Sequence, residues 1–273
     1  MTISSLRLDG RHLAYRQSAG QDHPVILIHG NSSSSRTWQP LLDGPFGERF
    51  RCLAFDLPGH GGSAPAPDAE SYSLPGYAAV LRRFAEALGA EDALIVGHSL
   101  GGHIALEAAP ALGRAAGFAV FGTPPMADLA AMPHAFLPNP LVEIGFTPNP
   151  TAAEASAYAA GQFAPGSEYP VAPLAADILA TDPAARGGLG ASLTTGGFAD
   201  ELAVAVALGP ALAILHGEHD QLVSGAHLDS LALPELWRGG VQTIVGVGHS
   251  PQLERPEALA ALLTAFAEDR LRR

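Results

Sequence analysis

The tripeptide Gly-His-Ser occurs twice in this chain, within LIVGHSLGGH at 94–103 and within IVGVGHSPQLERP at 244–256. Each copy holds the residue types of a nucleophile and its base, yet neighbours on a chain rarely point at one another. The first copy fits G-x-S-x-G over 97–101 and sits where an apolar, strand-like run gives way to a helical pattern, the setting of a nucleophile elbow. Such a turn is strained and demands small residues around the serine, which Gly97, Gly101 and Gly102 supply. Ser99 is therefore the candidate nucleophile, carried above the C-terminal edge of a sheet. His98 then points away from it and is expected to line the pocket or to pack, with Gly30 counted to the same pocket.

The base is expected from a loop after another strand, and GVQTIVGVGH runs through a Gly-rich turn into His249, with a Pro-initiated helix behind it. Ser250 is then a bystander, so each tripeptide donates one reactive residue. The chain order serine, acid, histidine places the acid between them. PALAILHGEHDQLV offers Asp220, followed by an apolar turn back towards the core; Glu218 is the reserve and Asp128 a distant third. Attack on an ester carbonyl also needs donors for the oxyanion, and the backbone amides of Leu100 and Asn31 fall where two are expected. The chemistry is acyl transfer through a covalent acyl-enzyme.

Other chemistries fare worse. His216 and His219 form H-x-x-H without further ligands, and the clustered histidines and aspartate of metal-dependent hydrolases are absent, so no metal and no cofactor is expected. DLPGHGGS at 56–63 reads as a Gly-rich turn shaping the pocket wall, with Asp56 and His60 structural. There is no lysine, which removes Schiff-base chemistry and the lysine of a phosphate-binding loop.

These loops require strands to carry them. ISSLRL and RHLAYRQ flank Asp9-Gly10, a hairpin signal. The β-branched, apolar runs at 24–30, 50–56, 91–97, 115–122, 210–217 and 240–246 suit strands buried on both faces of a parallel sheet. Helical patterns alternate with them, clearest at 77–89, 99–112 and 255–273, which makes the chain a doubly wound α/β fold. The alternation lapses between 122 and 210. The Pro- and Ala-rich interval 124–205 is expected to be an inserted helical cap over a core of 1–123 and 206–273.

Composition narrows the partners. At 273 residues, 47% hydrophobic and 15% charged, with a mean hydropathy of +0.17, the chain can bury a full core. A formal charge of −12 argues against nucleic acid. The longest apolar stretch, 202–215, is too short for a membrane span and is broken by Gly209 and Pro210. Without a signal-peptide pattern at the start, a cytoplasmic location is expected. The lone Cys52 reads as a buried strand residue. The interval from Pro124 to Ala205 carries eight acids against the single base Arg186, a field that repels anionic substrates and favours neutral esters and lactones. Phe136, Phe146, Phe163, Met126 and Met132 would suit an acyl chain, and equally a plain cap core. The oligomeric state is not legible.

LIHGNSSSS, DLPGHGGS, GHSLGGH, HGEHDQLV and VGHSPQLERPEAL resemble the α/β-hydrolase family over almost the whole chain outside the cap. Within it, HGNSSSS, DLPGHG, SYSLPGYA, SLGGHIALE and GTPP are similar to the α/β-hydrolase-fold N-acyl-homoserine lactonases. That resemblance implies opening of a neutral lactone ring with the acyl chain under the cap, and matches Tyr158 in EASAYAAGQF to a cap tyrosine that reaches the substrate. The lactonase group carries tryptophan at the His98 position and glutamate as the triad acid where this chain has Asp220. A general short-chain carboxylesterase, and a non-catalytic ligand-binding protein on the same scaffold, are the alternatives.

Overall fold

Asp9 and Gly10 both adopt positive φ, 51° and 77°, the requirement of a tight two-residue hairpin turn. They join β1 (Thr2–Leu8) to β2 (Arg11–Gln17) in antiparallel register, Leu8 opposite Arg11. The computed structural model describes residues 2–233 and 235–272. Six further strands follow: β3 (Asp22–Ile28), β4 (Phe50–Phe55), β5 (Leu94–His98), β6 (Gly117–Phe121), β7 (Leu212–Gly217) and β8 (Gln242–Ile244). They lie in the order β1-β2-β4-β3-β5-β6-β7-β8, parallel from β4 onward. This is the α/β-hydrolase fold, with every expected strand present.

Alternation along each strand divides the core in two. Ile26, Ile28, Leu53 and Phe55 face the helices Leu74–Ala87 and Leu100–Ala108. Val25, Leu27, Cys52 and Ala54 face the helices Gln39–Asp43, Pro45–Arg49 and Pro256–Leu271. Cys52 is fully buried, and desolvation pushes its thiol up to about 12. The helical pattern expected at 255–273 begins earlier and in two pieces, Pro251–Glu254 and Pro256–Leu271. Pro256 cannot continue a helix, and the residue before it, Arg255, takes φ −142°.

Between β6 and β7 the chain forms helices only, among them Met132–Ala135, Ala152–Gly161, Ala172–Ala180, Pro183–Thr194 and Glu201–Leu208. Three of their starts are encoded locally: Thr151 and Glu154 make a reciprocal capping box, and Asp182 and Asp200 cap Pro183–Thr194 and Glu201–Leu208. A small apolar cluster of Tyr158, Phe163, Leu174 and Ile178 reaches down to Leu222, on the loop after β7, and Leu253, in the helix Pro251–Glu254. Among the described residues no helix is long and apolar enough to cross a membrane.

Candidate functional site

Ser99 joins β5 to the helix Leu100–Ala108 at φ 52° and ψ −118°, a conformation that costs a non-glycine residue about 1–3 kcal/mol. The surroundings enforce it. The Ser99 amide donates to the Phe121 carbonyl at 2.8 Å, and its own carbonyl accepts from the Gly102 amide and the Thr123 hydroxyl, each at 2.9 Å. Strand and helix touch so closely that a Cβ at Gly97 would collide with the Gly101 carbonyl. One at Gly101 would strike the Ile28 carbonyl, and one at Gly102 the Thr123 side chain.

His249 lies across from this turn, its ring seated on Gly122, where φ is 59° and an added Cβ would come within 2.7 Å of the imidazole Cε1. Its Nδ1 is 2.8 Å from Asp220 Oδ2. Asp220 Oδ1 accepts the Leu222 and Val223 amides at 2.8 and 3.0 Å, so both carboxylate oxygens are spent. Burial pushes this carboxyl up, but the imidazole and the two amides outweigh it and hold the group below the usual carboxylate value. An acceptor at Nδ1 selects the tautomer that leaves a lone pair on Nε2, which is buried with no hydrogen-bond partner. Glu254 positions the histidine loop, taking the Gly248 amide at 2.7 Å and the cap amide of Ala164 at 3.0 Å. Glu218 turns outward to the Gly246 amide, and Asp128 caps Ala130, so neither reaches His249.

The loop after β3 faces Ser99. Gly30 passes so near that a Cβ there would lie 3.3 Å from the Ser99 Cβ. The Asn31 and Leu100 amides are donated to no protein acceptor. The loop is braced from behind by neutral histidines. His60 Nε2 accepts the amide of Ser32, itself at φ 55°, and His29 Nε2 accepts the Leu57 amide at 3.0 Å. Asp56 takes the Ser35 and Gly62 amides, as a structural residue would. Burial drives His29 down and His60 to about 3.

His98 does not present itself to the main cavity. It stacks on Phe121 with ring centroids 5.1 Å apart, its Nε2–H donates to the His249 carbonyl at 3.0 Å, and its Nδ1 accepts from Gln252 at 3.2 Å. Both ring nitrogens are thus used by protein. Of the two roles open to it, lining the pocket or packing, it packs, in a narrow crevice beside Ser99 that Gly30 and Tyr158 also line.

The cavity in front of the Ser99 turn is lined by Ser99, Leu100, Asn31 and His249. Met126, Met132, Phe136 and Phe146 form much of its wall. Phe163, expected with them, packs inside the cap instead, 5.0 Å from the Tyr169 ring, because its own backbone is pressed against Gly248. Tyr158 borders both spaces, and its phenol, beside Gln162, is pushed by burial up to about 12. Asn31 Nδ2 ties the loop to the cap at the Gly145 carbonyl, 2.6 Å away. Sequence reasoning missed His103 on the cavity wall, paired with the buried Glu201, and missed Arg186 as a buried anchor. Helical spacing from Ser99 was a usable signal for His103; the other two depend on long-range packing. Among the described residues no group of three or more His, Cys, Asp or Glu side chains is placed to hold a metal ion.

The sequence profile of the alpha/beta hydrolase family matches residues 25–262. A mutant of the N-acyl homoserine lactonase AidH, complexed with N-hexanoyl homoserine lactone, is 29% identical over 99% of this chain and 98% of its own, with a TM-score of 0.92. A second AidH mutant, complexed with N-hexanoyl homoserine, is 31% identical over 98% and 97%, with a TM-score of 0.90. A thermophilic esterase from Thermogutta terrifontis, 20% identical over 99% of both chains with a TM-score of 0.80, shares the fold. The serine hydrolase-like protein of Danio rerio is 42% identical over 85 residues, 30% of this chain and 25% of its own. The chain spans about a quarter to a third of the length of such curated relatives.

Proposed function

This chain belongs to the alpha/beta hydrolase family, and from that premise we propose that it is a serine hydrolase of carboxylic esters that opens neutral lactones of the N-acyl-homoserine class. In this reading Ser99 attacks the carbonyl, His249 Nε2 takes its proton, and Asp220 holds the imidazole and stabilises its cation. The Asn31 and Leu100 amides bind the oxyanion, the latter aided by the helix it begins. His249 then returns the proton to the leaving alkoxide, and water, activated by the same imidazole, releases the acid. Residues 124–205 serve as the cap, with the acyl chain against its apolar wall, in a cytoplasmic enzyme that needs no cofactor.

The observation that carries this reading is one cavity bounded by a serine in a strained elbow and by a histidine whose Nδ1 is spent on a buried carboxylate while Nε2 is unspent. The lactone preference is supported by similarity to AidH along nearly the whole of both chains, and by the acidic character of the cap. The test is a panel of N-acyl-homoserine lactones of several chain lengths beside p-nitrophenyl acetate, butyrate and octanoate. Lactone turnover is expected with kcat/KM of about 10⁴ M⁻¹s⁻¹ or above, and Ser99→Ala should abolish it together with fluorophosphonate labelling. If short esters are cleaved and lactones are not, the protein is a general carboxylesterase. If Ser99→Ala keeps its turnover, the serine mechanism fails.

A further inference from the structure

Two carboxylate–imidazole pairs border the same cavity, and only one of them involves His249. The other is His103 with Glu201. His103 lies four residues beyond Ser99, about one helical turn, and so on the same side of the helix that Ser99 begins. Its Nδ1 is 2.7 Å from Glu201 Oε1, while Glu201 Oε2 accepts the Met126 amide at 3.0 Å. Glu201 is completely buried, and its own amide donates to the Met126 carbonyl at 2.9 Å. The carboxylate is therefore rigidly placed and can only accept. It fixes the proton of the neutral ring on Nδ1 and leaves a lone pair at Nε2.

Among the described residues that nitrogen has no hydrogen-bond partner, and His103 lines the cavity with Met126, Met132 and Phe136. An oriented polar atom set among apolar side chains is how a pocket fixes the orientation of its ligand. From this we infer that His103 Nε2 is a specificity-determining acceptor, which selects acyl groups bearing an N–H or O–H donor close to the scissile carbonyl. An α-acylamino lactone meets the requirement, since its amide nitrogen is two bonds from the carbonyl carbon; an unsubstituted or α-acyloxy lactone offers no donor there. The inference rests on the reading of Ser99 as the attacking residue.

The test compares α-hexanoylamino-γ-butyrolactone with α-hexanoyloxy-γ-butyrolactone, which replaces the N–H by oxygen at nearly constant shape. Binding of both is measured to the Ser99→Ala protein in mildly alkaline buffer, and ring opening of both by the wild-type protein. One hydrogen bond should favour the amide about tenfold in each measurement. His103→Leu, and the double change His103→Leu with Glu201→Gln, which leaves no unpaired buried charge, should bring the ratio to about one. No preference in the Ser99→Ala protein, no binding of either lactone, or a ratio unchanged in a folded His103 variant overturns the inference. A tenfold binding preference without ring opening by the wild-type protein upholds it and rejects the lactonase reading instead. Where the single variant does not fold, the double variant and the Ser99→Ala ratio decide.

Discussion

The sheet edge and the helical insertion hold their functional side chains by different physics. At the edge, positions are set by steric contact: three glycines leave Ser99 one backbone conformation, and Gly122 lets His249 settle against β6. Over the cavity, the insertion is tied down by a few buried polar groups. Arg186 is almost wholly buried yet forms no ion pair. Its guanidinium donates to the carbonyls of Thr147, Ile178 and Pro148 at 2.8, 2.8 and 2.6 Å, and reaches the Ser32 hydroxyl at 3.5 Å. Burial lowers its affinity for the proton, but Arg stays charged at any ordinary pH. The contrast teaches that the edge tolerates loss of one hydrogen bond but not an added methyl group. The insertion is held through a handful of side chains, Arg186, Asn31 and Glu254 among them.

The largest effect should come from breaking the edge at its one charged contact. Asp220→Asn keeps the shape but removes the charge and the tautomer selection, and should lower kcat about 10⁴-fold with little change in fold. Glu218→Gln, two residues away and facing the Gly246 amide, should stay within a few-fold of the unchanged protein. Steady-state kinetics on one ester suffices; exchange of the two results would reassign the acid.

Next in size is Arg186→Met, which leaves three carbonyls without their donor and removes one of the links between the Ser32 loop and the insertion. Loss of buried hydrogen bonds at about 1–3 kcal/mol each should lower the melting temperature by several degrees. Lactone kcat/KM should fall about 10–100-fold, and p-nitrophenyl acetate, which needs little contact with the insertion, should suffer less. Equal losses on both substrates would mean that Arg186 serves the core site rather than the cap.

Legibility followed the same division. Ser99, Gly97, Gly101 and Gly102 were readable because an elbow is a local conformation with a local glycine requirement. The strands were readable from runs of β-branched residues. For His98 pocket lining and packing both stayed open, because its partners, Gln252 and the His249 carbonyl, are more than 150 residues distant. For Phe163 an acyl-chain wall and a plain cap core were equally open, because side-chain direction inside the insertion depends on the Gly248 contact and not on spacing. His103 pairs with Glu201 across 98 residues, and Arg186 reaches carbonyls 8, 38 and 39 residues away and the Ser32 hydroxyl 154 away, which no local pattern announces.

A smaller effect separates the regions by pH. His29, His60 and His98 are all held below the ordinary imidazole value by burial, with His60 near about 3. Below about pH 6.5 the unfolded chain takes up these protons while the folded chain does not, so stability present above that pH is lost as the pH falls. Each histidine contributes up to about 1.4 kcal/mol per pH unit until its folded-state value is reached. The depressed Asp220 carboxyl acts in the same sense, but only at lower pH, below its ordinary value of about 3.9. Denaturant midpoints should therefore drop steeply between about pH 7 and pH 5, and His60→Gln should flatten that slope. A profile as steep in the variant would remove His60 from the account.

The smallest expected effect lies where the two regions meet. Tyr158 borders the cavity, its hydroxyl lies beside Gln162, and a Cβ on Gly145 would come 2.9 Å from that oxygen, the same glycine whose carbonyl receives Asn31 Nδ2. Tyr158→Phe keeps the ring in the insertion's apolar cluster and removes only the hydroxyl, at a cost of about 1 kcal/mol in stability. If the hydroxyl orients a lactone over Ser99, kcat/KM for the lactone should fall about three- to tenfold. Turnover of p-nitrophenyl butyrate, whose good leaving group needs less positioning, should change by less than about twofold. Parallel losses on both substrates would show that Tyr158 acts only through the packing of the insertion, and that the hydroxyl belongs to the cap's structure and not to substrate binding.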